Sequence, residues 1–425
     1  RLTDVTGVQT CALPIWYDEH AGDIVGAFRS LQDSEHIEIL TCGATHGILP
    51  LMSSDSVRRA QLRVAVTNYE KHFGRKPRGI WLPECAYAEG IDKLLASEGI
   101  RYAYLDTHGL LFADPCPPDG IWSPIQSKSG VFFLGRDIES SKQVWSAREG
   151  YPGDANYREF YRDIGYDADE DYIHPYLHQS GGRHNLGFKY YRITGAVDLS
   201  KKEPYNPVNA MLTAETHAGN FHFNRAGQFR HLREKMGHTP VILAPYDAEL
   251  FGHWWFEGPA FIDRFLRVCA AHSADFRTGT ASDALELCES HMAEPAGSSW
   301  GDGGYYGVWV NANNQWMYPH LHEIETRMVE LARQHNAEGH KPRILRQLAR
   351  ELLLAQSSDW AFIATTGTTV PYAVRRFRDH VANFLRLYDM YHSPAPDLSF
   401  LSQLESRNCI FPEIDPSVYA EETRP

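Results

Sequence analysis

Short apolar segments alternate with longer amphipathic ones over the first quarter of the sequence, and this alternation limits the possible folds more than any other feature. Strands are predicted at residues 37–41, 79–82 and 102–105. The intervening residues 54–73 are predicted to form a helix, because Leu62 and Val66 share one face. Strands that alternate with helices form parallel sheets, whose functional residues lie at the carboxyl ends of the strands. The sequence therefore predicts an α/β fold.

The alternation stops over residues 137–235, where Gly, Pro, Tyr, His and charged residues dominate. An irregular stretch of this length is typical of an inserted subdomain or a lid. The alternation resumes with a strand at 240–244 and a helix at about 259–273. From residue 315 onward the sequence is mostly helical, notably at 342–356 and 371–391. We therefore predict a catalytic domain of residues 16–136 and 236–297, an inserted subdomain with a lid loop at 137–235, and a helical C-terminal domain at 298–425.

The first 15 residues fit neither pattern. They also lack the basic start and the continuous apolar core of a signal peptide. Their sequence resembles translated sequencing-adapter read-through. We therefore expect residues 1–15 to be a leader that is unrelated to the fold.

The composition excludes several classes of protein. Of the 425 residues, 43% are hydrophobic and 22% are charged, which excludes a disordered or fibrous chain. The formal net charge of −13 argues against a nucleic-acid partner, which would need a basic face. No apolar run is long enough to predict a membrane span. Seven cysteines without a CxxC pair are typical of a reduced, cytoplasmic protein.

Two carboxylates closely follow apolar runs that contain a proline near their end. Glu84 comes after residues 79–83 (GIWLP), and Asp247 comes after residues 241–246 (VILAPY). Two acids at one rim of a parallel barrel are what glycoside chemistry requires, one as nucleophile and one as acid/base. The alternative is that each carboxylate only caps the helix that follows it, where negative charge is favoured.

Further candidates accompany these two acids. His46 follows the first predicted strand and would lie on the same rim as Glu84, although a lone histidine is more often structural. Residues 300–309 (WGDGGYYGVW) are aromatic, and Trp300 and Trp309 could stack on sugar rings, although a single ring more often fills a core. The glycines of this segment do not fit a dinucleotide loop, because no strand precedes them. Asp359 ends a helical stripe and by itself would be a surface carboxylate.

Other chemistries have weaker support in the sequence. The GxSxG motif of serine hydrolases and the HExxH motif of zinc proteases are both absent. His174 and His178 have the spacing of a metal-binding pair, but Pro175 lies between them in a segment rich in Pro and Tyr. The sequence therefore predicts neither a metal nor an organic cofactor.

Three long motifs resemble glycoside hydrolase family 57. They are residues 43–50 (GATHGILP), 79–87 (GIWLPECAY) and 244–258 (APYDAELFGHWWFEG). Within that family the motifs are similar to those of 1,4-α-glucan branching enzymes. The resemblance runs from about Trp16 to residues 411–416 (FPEIDP).

The resemblance implies an incomplete (β/α)7 barrel with an inserted subdomain and a helical C-terminal domain. It also implies Glu84 as nucleophile and Asp247 as acid/base. The sugar site would be lined by His46, Trp300, Trp309 and Asp359. The family's mobile loop would fall within residues 137–155, with Tyr151 as the candidate for the tyrosine that favours transfer over hydrolysis.

The family's opening strand carries a His-x-His or His-x-Pro type motif, and this motif has no counterpart in the sequence. We therefore expect roughly 100 residues, including the first barrel strands, to be missing from the front of the barrel.

The expected function is that of a retaining branching enzyme. It would cleave α-1,4 links of a glucan such as amylose or glycogen and transfer the chain to a 6-hydroxyl. An α-amylase or 4-α-glucanotransferase of the same family would share both carboxylates but use another acceptor. A metal-dependent polysaccharide deacetylase also uses a parallel barrel and would be inactivated by a chelator. A glycan-binding module would bind without turnover.

Overall fold

Five strands form one mixed sheet in the computed structural model, which describes residues 17–177, 182–334 and 338–420. They are Gly79–Ile80 (β1), Tyr102–Leu105 (β2), Ile125–Gln126 (β3), Phe132–Gly135 (β4) and His291–Met292 (β5). Their order in the sheet is β1-β2-β4-β3-β5. Strands β1, β2 and β4 are parallel, whereas β3 pairs antiparallel with β4 and parallel with β5. The carboxyl ends of β1, β2 and β4 therefore lie at one edge of the sheet.

The predicted strands are recovered to different extents. The strand at 102–105 is confirmed as β2, and the strand at 79–82 is shortened to β1. The prediction of a strand at 37–41 is wrong except at Thr41, which forms a single parallel bridge with Ile80. The reason is that side chains satisfy the backbone there: Gln32 Oε1 accepts from the N–H of Ile39, and the hydroxyl of Tyr69 donates to the Ile39 carbonyl.

The first predicted helix is confirmed and occupies Asp55–Phe73. It begins after Ser54 and ends at Gly74, whose φ of 68° is left-handed and suits glycine. The C-terminal helices predicted at 342–356 and 371–391 are also confirmed, within a residue at each end. The helices of eight residues or more in the described ranges are Ile24–Asp33, Asp55–Phe73, Ile138–Trp145, Pro207–Met236, Gly258–Ala271, Met317–Arg333, Lys341–Ala355, Asp359–Thr366, Val370–His392 and Leu398–Arg407.

Two predictions around residue 236 are wrong. The segment predicted to be irregular up to 235 contains the longest helix of the described residues, Pro207–Met236, which begins at the cap of Asn206 and ends at Gly237. Its buried stripe consists largely of alanines, which give a weak hydrophobic pattern. The strand at 240–244 is reduced to one bridge, between Leu243 and Arg136.

The chain divides into two compact units. One comprises Leu31–Gly135 and the residues from Glu289 onward, and the other comprises Arg136–Cys288 and the residues up to Ser30. The predicted leader of residues 1–15 and His178 lie outside the described residues.

Each unit has its own hydrophobic core. In the first unit the sheet residues Ile80 and Phe133 belong to the same core as Leu348 and Phe384 of the C-terminal helices. The core of the second unit joins the helices Pro207–Met236 and Gly258–Ala271, and its members are Val144, Tyr157, Ala210, Ala214, Ala218, Phe221, Leu250, Trp255 and Phe261.

Within the described part of the chain, no helix combines the length and the apolar character that a membrane span needs.

Candidate functional site

Glu84 lies four residues beyond the end of β1, in a strained turn. Pro83–Cys85 forms a single 3₁₀ turn in which Glu84 has φ 60° and ψ 27°. The next residue, Cys85, also has a positive φ of 51°. Left-handed conformations of non-glycine residues cost free energy and are concentrated at functional sites, where the surroundings hold them. The turn therefore places the Glu84 carboxylate in an orientation that an ordinary helix or strand would not provide.

Both oxygens of the Glu84 carboxylate have a hydrogen-bond partner. His46 Nε2 lies 3.2 Å from Oε1, and the indole N–H of Trp300 donates to Oε2 over 2.7 Å. The main-chain N–H of Trp300 donates to the Glu84 carbonyl over 3.0 Å. Because the side chain of Glu84 is 20% exposed, one face stays open to a substrate while the two donors fix its orientation.

His46 connects Glu84 to Cys42. Its Nδ1 lies 3.2 Å from the sulfur of Cys42, and its own φ of 56° is left-handed. Burial opposes protonation of the imidazole, but the interactions with Cys42 and Glu84 outweigh it and raise the pKa of His46 to about 10. At neutral pH the imidazole is therefore a cation beside the carboxylate of Glu84.

Two further aromatic rings extend from Trp300. The ring of Trp81 meets that of Trp300 edge-on at a centroid distance of 4.7 Å, and the ring of Tyr104 on β2 lies 6.1 Å from Trp81. Trp81 is only half buried. Aromatic side chains therefore lie next to a carboxylate, a combination that suits the C–H faces and hydroxyls of a sugar.

Trp300 and Trp309 occupy different positions in their loop. Trp300 contacts Glu84, whereas Trp309 is 1% exposed and belongs to the core. A methyl group on Gly301 would lie 2.6 Å from the Trp309 ring, so the loop rests directly on that ring. His108 Nε2 supports the same loop through the carbonyl of Gly304 at 2.6 Å. Trp309 thus lies beneath the loop rather than on its open side.

Asp359 is exposed and lies at the start of the helix Asp359–Thr366. The residue before it, Ser358, donates its main-chain N–H to the carbonyl of His46 over 3.2 Å. The structure therefore brings the segment of Asp359 beside the loop of His46, although no contact between their side chains is observed in the described residues.

Asp247 and Tyr151 belong to the other unit. Asp247 is half buried and precedes the short 3₁₀ turn Ala248–Leu250. The hydroxyl of Tyr151 donates to Asn220 Oδ1 over 2.7 Å, and its ring lies 4.6 Å from that of His217. Burial raises the pKa of Tyr151 to about 12. Tyr151 is thus anchored on the helix Pro207–Met236.

Glu84 and its two partners, His46 and Trp300, are a poor set for a metal ion. Glu84 and His46 each offer a ligand atom, but the indole of Trp300 offers only an N–H donor. Catalytic zinc sites use three protein ligands. The arrangement instead suits a carboxylate that is oriented for reaction.

The sequence prediction missed four contributors to the site. Trp81 lies within the motif of residues 79–87, but only the tertiary structure shows that its ring contacts that of Trp300. Cys42 and His108 have no sequence signal. Gln61, whose carboxamide contacts the loop of His46, does have one, because it is a polar residue in line with the apolar Val57 and Ala65 of its helix.

Two family models match the chain. The model described as "Glycosyl hydrolase family 57" matches residues 6–295. The model described as "1,4-alpha-glucan branching enzyme, C-terminal" matches residues 320–419.

Curated relatives show the same similarity. A 1,4-alpha-glucan branching enzyme of Thermococcus kodakarensis is 36% identical over 441 residues, covering 95% of this chain and 62% of the relative. A probable 1,4-alpha-glucan branching enzyme of Mycobacterium tuberculosis is 32% identical and covers 83% of this chain and 63% of the relative. The chain thus spans somewhat over three fifths of the length of these relatives.

Solved structures are similar over nearly the whole chain. The alpha-amylase AmyC of Thermotoga maritima has a TM-score of 0.90 and 45% identity, and covers 98% of this chain and 79% of that one. The GH57-type branching enzyme of Pyrococcus horikoshii has a TM-score of 0.87 and 35% identity, and the match covers 98% of this chain and 77% of that one.

Proposed function

Because the chain belongs to glycosyl hydrolase family 57, we propose that it carries the catalytic site of a retaining 1,4-α-glucan branching enzyme. The reaction cleaves an α-1,4 link and transfers the released chain to a 6-hydroxyl of a glucan. The observation that carries the proposal is the Glu84 carboxylate, which two donors, His46 and Trp300, hold in a strained turn after β1.

Glu84 is the nucleophile in this proposal. One carboxylate oxygen attacks the anomeric carbon and forms a glycosyl ester as the glycosidic bond breaks. The imidazolium of His46 contacts one oxygen of the carboxylate, and the indole N–H of Trp300 donates to the other. Both contacts prepare Glu84 before the substrate arrives, so little reorganisation is needed during the reaction.

Asp247 is the acid/base. It protonates the leaving oxygen in the first step and takes the proton from the acceptor 6-hydroxyl in the second. The main support for this role is its position in the motif of residues 244–258, directly after the apolar run that ends in Pro245 and Tyr246. Two displacements at the same carbon retain the α configuration, which NMR of the first products can measure.

The sugar contacts are assigned as follows. His46 and Trp300 would line the site directly, with Trp81 as a third, half-buried surface. Trp309 would act through the loop that it supports, since it is 1% exposed. Asp359 would reach a sugar hydroxyl from the segment beside His46. Tyr151 would belong to the lid over the transferred glucosyl group.

The finer architecture also remains our proposal. The parallel strands β1, β2 and β4, extended by the bridge of Thr41, support an incomplete (β/α)7 barrel. Residues 137–235 would be its inserted subdomain and residues 298–425 its helical C-terminal domain.

An α-amylase is the second candidate, because a solved α-amylase is 45% identical to the chain. It would use the same two carboxylates and release the chain to water. The match of residues 320–419 to a C-terminal branching-enzyme model favours the branching enzyme.

Linkage analysis of amylose products tests the choice. The full-length protein is incubated with amylose, and α-1,6 links and new reducing ends are both counted, by NMR and by a reducing-sugar assay. A branching enzyme forms many α-1,6 links and few new reducing ends. Reducing ends without α-1,6 links would replace our proposal by the amylase, and no change in either would reject both.

A further inference from the structure

The loop of His46, residues 43–47, needs support that its own sequence does not provide. His46 adopts a left-handed conformation with φ 56°, which a non-glycine residue keeps only where the surrounding structure holds it. Its side chain is 38% exposed, so burial alone does not fix the ring. The geometry at Glu84 therefore depends on what holds this loop.

Gln61 directs its carboxamide at the loop from the helix Asp55–Phe73. Its Oε1 accepts from the main-chain N–H of Thr45 over 3.0 Å, and its Nε2 donates to Thr45 Oγ1 over 2.9 Å. The main-chain N–H of Ala44 donates to the Gln61 carbonyl over 3.1 Å. Gln61 is completely buried, so these bonds do not compete with water.

The loop approaches Gln61 closely at Gly47. A methyl group on Gly47 would lie 3.3 Å from Gln61 Nε2 and 2.6 Å from the terminal methyl of Met52. The glycine thus allows the backbone beside His46 to rest against Gln61.

The remaining N–H of Gln61 leads to the C-terminal helices. It donates to Gln356 Oε1 over 2.9 Å, and Gln356 Nε2 donates to Glu325 Oε1 over 2.8 Å. The main-chain N–H of Ser53 donates to the other oxygen of Glu325 over 2.9 Å. Gln356 is 6% and Glu325 1% exposed, so the chain of hydrogen bonds from Thr45 to Glu325 is shielded from solvent.

The C-terminal helical segment also contacts the loop directly. The hydroxyl of Thr45 donates to the carbonyl of Leu353, and the N–H of Ser358 donates to the carbonyl of His46. The residue before His46 and His46 itself are thus both tied to the segment 353–358.

We propose that Gln61 is a positioning residue for His46, and that the C-terminal helical segment completes the catalytic site through Gln356 and Glu325. A buried amide costs free energy unless it is hydrogen-bonded, and the hydrogen bonds of Gln61 go to Thr45 and Gln356. The inference rests on the proposed function, because it takes Glu84 as the nucleophile that His46 serves.

The test compares Gln61→Leu with Gln347→Leu in the full-length protein. Gln347 is a matched control: it is also a completely buried glutamine of the same unit, but it donates to Glu351 Oε1 over 2.9 Å. The measured quantities are kcat and KM on amylose, the melting temperature, and the rate at which a fluorinated α-glucosyl fluoride labels Glu84, followed by mass spectrometry. The same changes are made in a His46→Ala background.

Gln61→Leu should lower kcat and the labelling rate by about 10- to 100-fold with KM within about twofold, since a small misplacement near the reacting atoms has an effect of this size. Gln347→Leu should lower the melting temperature about as much as Gln61→Leu does, but it should leave kcat within about twofold of the wild-type value. In the His46→Ala background, Gln61→Leu should change kcat by less than about twofold, because the two residues act on one another.

Equal kcat values for Gln61→Leu and Gln347→Leu would overturn the inference, and so would an undiminished effect of Gln61→Leu without His46. If Gln61→Leu does not fold, Thr45→Val, which removes only the hydroxyl between Gln61 and Leu353, replaces it with the same expected direction. If the wild-type protein is active and labelled at Glu84, and Gln61→Leu changes neither kcat nor the labelling rate, this inference is rejected and the proposed function is kept. A wild-type protein that is neither active nor labelled would reject both.

Discussion

A carboxylate that attacks an anomeric carbon must be oriented before the substrate binds. At the scale of single residues, His46 and Trp300 orient Glu84 through contacts with its two carboxylate oxygens. The strained turn adds to this, since φ 60° at Glu84 is held by the hydrogen bond from the N–H of Trp300 to its carbonyl. Two predictions follow from these contacts.

Replacing Glu84 by glutamine should abolish turnover while glucan binding persists. The amide has the same size but cannot form the glycosyl ester, so kcat should fall by at least about a thousandfold, which corresponds to roughly 4 kcal/mol of transition-state stabilisation. Kinetics on amylose and a binding measurement with maltooligosaccharides test this. Glu89→Gln, at an exposed position before the next helix, is the control. A loss of only a few-fold for Glu84→Gln would remove it from the role of nucleophile.

Replacing Cys42 by alanine should move the alkaline limb of the pH–rate profile to lower pH. The interactions with Cys42 and Glu84 raise the pKa of His46 above its ordinary value of 6.5, to about 10. A pKa that is raised on folding gives stabilisation that is complete below pH 6.5 and is lost as the pH rises through about 10. Without Cys42, the loss of activity and of unfolding free energy should begin nearer to pH 6.5.

The measurements are kcat/KM and urea unfolding between pH 5 and 11, with Cys116→Ala, an exposed cysteine, as the control. If the alkaline limb coincides in the wild type and Cys42→Ala, then Cys42 does not hold the proton on His46.

At the scale of elements, two supports outside the sheet have different roles. The loop after Ser299, which carries Trp300, rests on Trp309 and on His108. The helices Lys341–Ala355 and Val370–His392 are joined by a buried polar network, which stabilises the fold. Each can be weakened without touching Glu84.

Gly301→Ala should lower kcat by about tenfold. Its φ of −62° is open to alanine, so the backbone conformation is not the obstacle. The added methyl group would lie 2.6 Å from the Trp309 ring and would displace the neighbouring Trp300 from Glu84. Gly307→Ala is the matched control, because a methyl group there would meet nothing within 4 Å. The test is steady-state kinetics of both variants. Equal kcat values for Gly301→Ala and Gly307→Ala would show that the added methyl group does not disturb the contact between Trp300 and Glu84.

Glu351→Leu should destabilise the protein by about 3–5 kcal/mol, because it leaves the partners of a buried carboxylate unpaired. Burial by itself would raise the pKa of Glu351, but hydrogen bonds from His380, Asn408 and Gln347 outweigh it and lower the pKa. A lowered pKa gives stabilisation that is present at neutral pH and is lost as the pH falls below the ordinary value of 4.5.

Urea unfolding at pH 7 and at pH 3 measures this effect. The control is Glu405→Gln. It removes a partly exposed ion pair between Glu405 and Arg343, which lies on the helix of Glu351, and it should cost at most about 1 kcal/mol of unfolding free energy. A cost for Glu351→Leu no larger than that of the control would show that the buried network adds no stability.

At the scale of the whole molecule, transfer requires that water lose the competition for the glycosyl-enzyme. We expect the loop of Tyr151 to exclude water, as lids of transferases do. Tyr151→Ala should therefore raise the ratio of hydrolysis to branching by about three- to tenfold, measured as new reducing ends per α-1,6 link.

Because the Tyr151 ring packs against His217 and Phe261, the melting temperature of this variant must be measured as well. Tyr161→Ala is the control, since Tyr161 is 84% exposed. An unchanged ratio in a folded Tyr151→Ala protein would reject the lid.

The sequence alone determined the elements whose pattern is local. The helix Asp55–Phe73 has an apolar stripe with Leu62 and Val66, and it is followed by a terminal glycine, whereas β2 is a buried run of apolar residues. The sequence also contains the end signals of the helix Pro207–Met236, which are a capping asparagine, a proline at the first position and a closing glycine. Its buried stripe of alanines, however, is too weakly hydrophobic to predict a helix.

The candidate site divides in the same way. Glu84 and His46 were predicted from their positions after short apolar segments, and Trp300 from the aromatic segment 300–309. Only the tertiary structure decided that Trp309 lies beneath the loop, that Trp81 faces Trp300, and that Gln61 reaches the loop of His46. These contacts join residues far apart in the chain, and which buried group meets which depends on how the helices pack. Periodicity gives the buried face of a helix but not its partner across the core.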